Sequence, residues 1–207
     1  FKIFYFLRYL FPIFLLAIIL YISIPKFFNY ENKEIEIKNF LSKNYQLNLN
    51  KFSSITYKIF PLPNIYLENV DFTFKNKSNY FNSKKMYIFL NISNIYNRDK
   101  FISEKMIIRD NEMNLKASNL DYLIDLLDKI KPKLVIKNLD LNITKNNESI
   151  LNIKNITFKN YGFKKNRVQG EVFEKKFKIK VNKNNKEVKF KIIDTGISAN
   201  FKFNEKK

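Results

Sequence analysis

The chain contains no cysteine and no histidine, and only three of its 207 residues are glycine. Without cysteine there is no thiol nucleophile and no disulfide, and without histidine there is no imidazole to act as a general base. The usual zinc and iron ligand sets draw on the same two residue types. We therefore predict that the protein is not an enzyme, with no catalytic residue, no metal site and no cofactor.

Positive charge is in large excess, with 38 Lys and Arg against 19 Asp and Glu. A net charge of +19 would ordinarily indicate a polyanion partner. The lysines, however, are spread along the whole chain, and Lys, Asn, Ile and Phe are abundant together, as an AT-rich genome would impose. We interpret the lysines as the solvated partners of alternating strands and expect no nucleic-acid partner.

Residues 1–25 form the longest apolar run. No charge occurs from Tyr9 to Ile24, and with the preceding residues the run approaches the ~20 residues that cross a hydrocarbon core. A cleavable signal peptide needs small residues before its cleavage site, and the residues around Tyr21 do not provide them. We predict a retained single-pass anchor over 1–25. Lysines on both sides of the run leave its orientation open.

Two short helices are predicted after the anchor. Residues 26–44 are assigned to an amphipathic helix and linker, because Ile37, Phe40 and Leu41 recur at helical spacing. A second helix over 119–130 carries a continuous apolar stripe. Its three aspartates, Asp121, Asp125 and Asp128, are interpreted as its solvent face.

The rest of the region 45–207 alternates apolar and polar residues with the period of a β-strand. Turns rich in Asn or Lys separate the strands, and asparagine tolerates the left-handed backbone that glycine would otherwise supply. One such strand is predicted to place Val135, Leu139, Leu141 and Ile143 on a single face. The predicted fold class is mainly β: a transmembrane helix, then a long curved antiparallel sheet with two short amphipathic helices. Alternation alone does not separate a closed sandwich or barrel from an open groove.

Residues 55–74, ITYKIFPLPNIYLENVDFTF, hold the most distinctive pattern. Two strand-like runs flank a junction with two prolines, which lack a backbone N–H and so end one strand before the next begins. The order of anchor, helix, strand and this junction resembles the N-terminus of the AsmA family. The residues that carry the resemblance are Phe60, Pro61, Pro63, Leu67, Asn69 and Val70. The chain departs from the family in lacking its usual hairpin glycines.

The resemblance implies a bacterial inner-membrane protein whose soluble part lies in the periplasm. Members of the family form a U-shaped β-groove lined with apolar side chains and are related to bridge-like lipid transfer proteins. The resemblance therefore implies that 45–207 binds or moves phospholipids and supports outer-membrane assembly, with the inner membrane, phospholipid and other envelope proteins as partners. The candidate groove residues are the apolar faces of four strands: Val70, Phe72, Phe74, Leu139, Leu141, Ile143, Phe177, Ile179, Val181, Phe201 and Phe203.

Two alternatives stay open beside the lipid hypothesis. A structural or regulatory membrane scaffold would have a closed β core and transport no lipid. A polyanion-binding protein would present one contiguous face of Lys and Arg. The length of the sheet also limits the lipid hypothesis, because about ten strands spaced ~4.8 Å apart span only ~50 Å. We therefore expect partners, oligomers or further C-terminal sequence to complete any bridge across a periplasm.

Overall fold

The N-terminal helix of the computed structural model is long and apolar enough to cross a membrane. The structure describes residues 2–28, 30, 33–74, 80–96, 102–146, 148–162 and 165–202. Helix α1 (Lys2–Ser23) continues into a 3-10 turn, Ile24–Phe27, and the membrane-length stretch is Leu7–Phe27. Side chains 7–21 are all exposed. An apolar helix with this exposure is suited to lipid and not to water.

Two further helices pack against the β-sheet. Helix α2 (Glu34–Tyr45) buries Ile37, Leu41 and Tyr45, so the spacing seen in the sequence does mark its buried face. It ends because Gln46 adopts a left-handed backbone, with φ of 55°. Helix α3 (Leu120–Lys129) follows a 3-10 turn at Ala117–Asn119 and coincides with the predicted helix to within a residue at each end.

Among the described residues, eleven strands form one sheet, which confirms the mainly β class. The strands are β1 (Leu47–Lys51), β2 (Ser54–Lys58), β3 (Asn64–Phe74), β4 (Tyr80–Leu90), β5 (Ser103–Lys116), β6 (Lys133–Lys145), β7 (Glu148–Asn160), β8 (Lys165–Val172), β9 (Lys175–Asn182), β10 (Glu187–Ile192) and β11 (Ser198–Lys202). The proline junction separates β2 from β3, as the sequence predicted.

The strand order is β1-β3-β4-β5-β6-β7-β8-β9-β10-β11, and β2 pairs with the first half of β3 beside β1. The expectation of a wholly antiparallel sheet is wrong at one place. Strands β5 and β6 are parallel, because α3 carries the chain from the end of β5 back to the end where β5 began. Parallel neighbours require such a crossover, whereas antiparallel neighbours are joined by short turns.

Residues with left-handed backbones shift the alternation within the strands. Asn69, Asp110 and Asn138 have φ between 46° and 57° and lie at one level across β3, β5 and β6. Each adds one residue to the strand, so the residues directly before and after it face opposite sides of the sheet, whereas regular alternation would place them on the same side. The prediction that Val135 shares a face with Leu139 is therefore wrong.

The hydrophobic core lies on one side of the sheet, which we call the inner face. Leu67, Val70, Ile136 and Leu139 belong to it, and the buried residues of α2 and α3 pack into the same core. We call the opposite side the outer face. Val135 lies there among lysines.

Candidate functional site

An apolar cavity of about 270 Å³ lies between α3 and the inner face. Every side chain that lines it is apolar. Helix α3 contributes Leu126, which is 2% exposed, and Ile130 at its end, whereas Ile124 on the same helix is 58% exposed. Apolar cavities of this kind stay free of water and can take up apolar molecules.

The predicted groove residues divide between this cavity, the core and the open end of the sheet. Phe74, Leu139, Leu141, Phe177 and Ile179 line the cavity. Val70, Phe72 and Ile143 are buried in the core beside it. Val181 is half-buried, and Phe201 is 59% exposed. Phe203 lies outside the described residues.

Beyond β8 the inner face continues as an apolar strip on β9, β10 and β11, which we call the open strip. Its members either pair across neighbouring strands or lie two residues apart on the same strand, so they share one face: Val181, Val188, Phe190, Ile192, Ala199 and Phe201. None of the six is buried. The open strip begins where Phe177 and Ile179 line the cavity, so the two surfaces adjoin.

Helix α3 is fastened at its C-terminal end by two groups of contacts. Asn160 donates from Nδ2 to the carbonyls of Ile130 and Pro132, at 2.9 Å each, and accepts at Oδ1 from the N–H groups of Leu134 and Gly162. Lys183, in the turn directly after β9, donates to the carbonyl of Asp128 at 2.9 Å and lies 2.6 Å from its carboxylate. The end of the helix is thereby tied to the turns after β7 and β9.

Sequence reasoning missed the part of the site contributed by α3, β7 and β8. The apolar stripe on α3 was recognised as helical but was not assigned to a binding surface. Ile153, Ile156, Phe158 and Val168 also line the cavity. An available signal was the amphipathic pattern of α3, because an apolar stripe on a helix needs an apolar partner surface.

The junction residues of the motif have a different environment from the groove residues. Phe60 is 86% exposed, and Pro61 is exposed beside it. Pro63, Leu67 and Val70 are buried, and Asn69 supplies the left-handed residue within β3. The motif therefore contributes both an exposed turn and an inner-face strand.

The outer face carries opposed positive charges. Arg109 pairs across the sheet with Lys85 and with Lys137, and Arg167 pairs with Lys159 and with Lys180. The pairs of Lys180 with Lys189 and of Lys178 with Lys191 extend the same pattern to β10. Directly opposed like charges destabilise a sheet. The outer face is therefore a surface that an anion would stabilise.

The lysine pKa values reflect this crowding. Partial burial, helped by Arg109, Lys159 and Lys105, lowers the pKa of Lys137. The pKa of Lys178 is lowered chiefly by Arg167 and further by burial and by two neighbouring lysines. A lowered lysine pKa means that the folded state binds its proton less tightly than the unfolded state does. The resulting destabilisation is present at neutral pH and fades as the pH rises through the lysine range.

Two acidic side chains of α3, near the cavity, form ion pairs. On α3, Asp125 pairs with Lys129 and Asp128 with Lys183. Among the described residues, no group of three or more acidic side chains could hold a metal ion. The hydroxyl of Tyr45 donates to the carbonyl of Lys133 at 3.4 Å, and burial raises the pKa of Tyr45 to about 12, so it stays neutral.

Comparison with known proteins leaves the AsmA resemblance a prediction. No protein-family model matches the chain, and no curated protein and no solved structure matches it either.

Proposed function

We propose that this chain is a membrane-anchored lipid-handling protein that binds phospholipid acyl chains between α3 and the inner face of its sheet. In this proposal α1 is a retained single-pass anchor in a bacterial inner membrane. The sheet lies in the periplasm as a groove of the AsmA type, where it moves phospholipid in support of outer-membrane assembly.

The observation that carries the proposal is the cavity of about 270 Å³ with a wholly apolar lining. Its volume is near the lower end of small-molecule sites, roughly 300–1,000 Å³. Each methylene group of an acyl chain that leaves water for such a surface gains ~0.8 kcal/mol. Binding of this kind requires no catalytic group and no cofactor.

The open strip supports movement as well as binding. It adjoins the cavity and is apolar along three strands, with Phe201 59% exposed at its far end. An acyl chain in the cavity could therefore extend along the sheet without returning to water. The headgroup would stay outside, as the all-apolar lining demands.

Contacts at the end of α1 support its retention in the mature protein. A signal sequence would satisfy the same criteria of length and apolar character. The hydroxyl of Tyr57 donates to the backbone carbonyl of Ile22 at 2.9 Å, and the hydroxyl of Tyr96 donates to the backbone carbonyl of Tyr21. Cleavage after residue 22 would remove partners that both tyrosines use.

A second candidate function is polyanion binding, which the opposed cations of the outer face favour. Lys137, Arg167 and Lys178 lie among further lysines on that face. An anionic partner would relieve their repulsion, and its binding would weaken steeply with salt. The two candidates use opposite faces of one sheet, so one experiment separates them.

Photocrosslinking at adjacent residues of β9 tests both candidates in the full-length chain in bacterial membranes. Phe177 faces inward, and Lys178 faces outward. With p-benzoylphenylalanine at position 177, irradiation should give phospholipid adducts detectable by mass spectrometry, and position 178 should give none. Adducts with anionic partners at 178 alone would favour polyanion binding. Folded protein without lipid adducts at 177 would refute the lipid proposal.

A further inference from the structure

The C-terminal end of α1 is attached to one particular end of the sheet. Tyr57, near the end of β2, donates to Ile22, and the ring of Tyr96 lies 4.7 Å from that of Tyr21. Tyr96 follows β4. Because β3 starts where β2 and β4 finish, these contacts all lie at the same end of the strands. We call this row of strand ends an edge of the sheet, and the row at the other end of the strands the opposite edge. Ile22 belongs to the membrane-length stretch Leu7–Phe27. That edge therefore lies at the level where α1 leaves the bilayer.

Large apolar side chains are exposed at the same edge. In the turn 59–63, between β2 and β3, Phe60 is 86% exposed and Leu62 is 54% exposed. Phe27, at the end of the apolar stretch, is 85% exposed. Ile92 and Ile102, in the connection between β4 and β5, are 42% and 39% exposed. In water these side chains are unfavourable, whereas the bilayer boundary accommodates them.

Hydrogen bonds attach the turn that carries Phe60 and Leu62 to the adjoining strands. Asn64 is fully buried and donates from Nδ2 to the carbonyl of Leu62 at 2.7 Å. The N–H of Leu90 donates 2.9 Å to the carbonyl of Pro63. Pro63 itself is buried. These contacts attach the base of the turn to β3 and β4, and Phe60 and Leu62 project beyond it.

Positive charge accompanies the apolar residues. Lys26 and Lys58 are exposed at this edge. Lys105, Lys133 and Lys159 lie at the nearby ends of β5, β6 and β7, where they line an outer-face hollow of about 420 Å³. Exposed lysines near a membrane surface attract anionic headgroups. Aromatic and basic residues together are typical of the membrane–water interface.

We propose that this edge is a membrane-docking surface, in which the turn 59–63 inserts Phe60 and Leu62 into the leaflet where α1 emerges. Lys26, Lys58, Lys105 and Lys133 then face anionic headgroups of the same leaflet. The occupant is the anchor's own bilayer, because α1 already holds the edge against it. The docking surface depends on α1 spanning the membrane but holds whether or not the inner face binds lipid.

Docking at this edge determines which ends of the strands face the membrane. Strands β3, β5, β6, β8 and β10 begin at the docked edge, and the turn between β8 and β9 lies at the opposite edge. Phe173 in that turn is 80% exposed, nearly as much as Phe60. The two phenylalanines are therefore a matched pair, one at each end of the strands.

Tryptophan fluorescence tests the docking surface directly, because the chain contains no tryptophan. Phe60→Trp and Phe173→Trp variants of the full-length chain are reconstituted into vesicles of mixed zwitterionic and anionic phospholipid, with and without bromine on the acyl chains. We expect brominated lipid to quench the Phe60→Trp variant at least twofold and to leave the Phe173→Trp variant nearly unchanged. Leu62→Trp should behave as Phe60→Trp does, which guards against a local disturbance at one site.

Three outcomes would overturn parts of the proposal. Equal, weak quenching in the Phe60→Trp, Leu62→Trp and Phe173→Trp variants would exclude insertion of the turn. Equal, strong quenching in all of them would show that insertion is not specific to this edge. Undiminished quenching of the Phe60→Trp variant in purely zwitterionic vesicles would refute the role given to the lysines. Lipid crosslinking at Phe177 is read out separately, so failure of docking and failure of lipid binding are distinguishable.

Discussion

At the scale of single residues, Asn160 connects the end of α3 to the sheet. It is 4% exposed, and its amide makes four hydrogen bonds that join the end of α3, the start of β6 and the turn after β7. A shorter side chain could not reach these partners. Buried polar groups that lose their partners retain the full cost of desolvation.

We predict that Asn160→Ala lowers the free energy of unfolding by about 2–3 kcal/mol, since it leaves buried backbone groups without partners. Asn152→Ala, at an exposed position of the same strand β7, should change it by less than about 0.5 kcal/mol. Chemical denaturation of both variants in detergent measures the difference. Equal effects of the two substitutions would contradict the role assigned to Asn160.

The importance of Asn160 was not predictable from the sequence, because the chain is rich in asparagine. The general expectation that asparagine replaces glycine in tight turns is confirmed at Asn146, where φ is 52°. The left-handed residues inside strands were missed. A bulge depends on the neighbouring strands as well as on its own residue type, and the misplaced Val135 is the consequence.

At the scale of elements, α3 is the part that could respond to a ligand. Its ten residues cover the cavity with one face, and Ile124 remains 58% exposed. Its C-terminal end is tied through Asp128 to Lys183. Helix and strand positions were largely predictable, because each has a clear apolar period. The parallel β5–β6 pair was not, since periodicity carries no information on which strands become neighbours.

We predict that Asp128→Asn loosens the C-terminal turn of α3 without unfolding the protein. The lost ion pair is partly exposed, so the global stability should fall by less than about 1 kcal/mol. Hydrogen exchange, followed by mass spectrometry, should be faster in the segment that contains α3. Asp121→Asn, at the exposed first turn of the helix, removes the same charge away from the tether and should speed exchange less than Asp128→Asn does. Unaltered exchange in Asp128→Asn would show that the tether does not restrain the helix.

At the scale of the whole molecule, one sheet separates an apolar inner face from a basic outer face. The apolar character of the inner face was predictable: eight of the eleven predicted groove residues are buried in the core or line the cavity, and their role in binding lipid stays a prediction. The position of α3 over the cavity and the opposed cations of the outer face were not predictable, because both depend on the order of the strands. The arrangement leads to the central claim, that the space under α3 holds an acyl chain.

The most direct test of that claim is native mass spectrometry of the full-length chain gently extracted from membranes. Val168 lines the cavity, whereas Val188 belongs to the open strip. A larger side chain at position 168 should occupy part of the cavity and block an acyl chain from entering, at a cost of about 1–3 kcal/mol. The account predicts that the unaltered chain and Val188→Phe carry phospholipid and that folded Val168→Phe has lost most of it. Chains free of lipid, or equal lipid content in Val168→Phe, would contradict it.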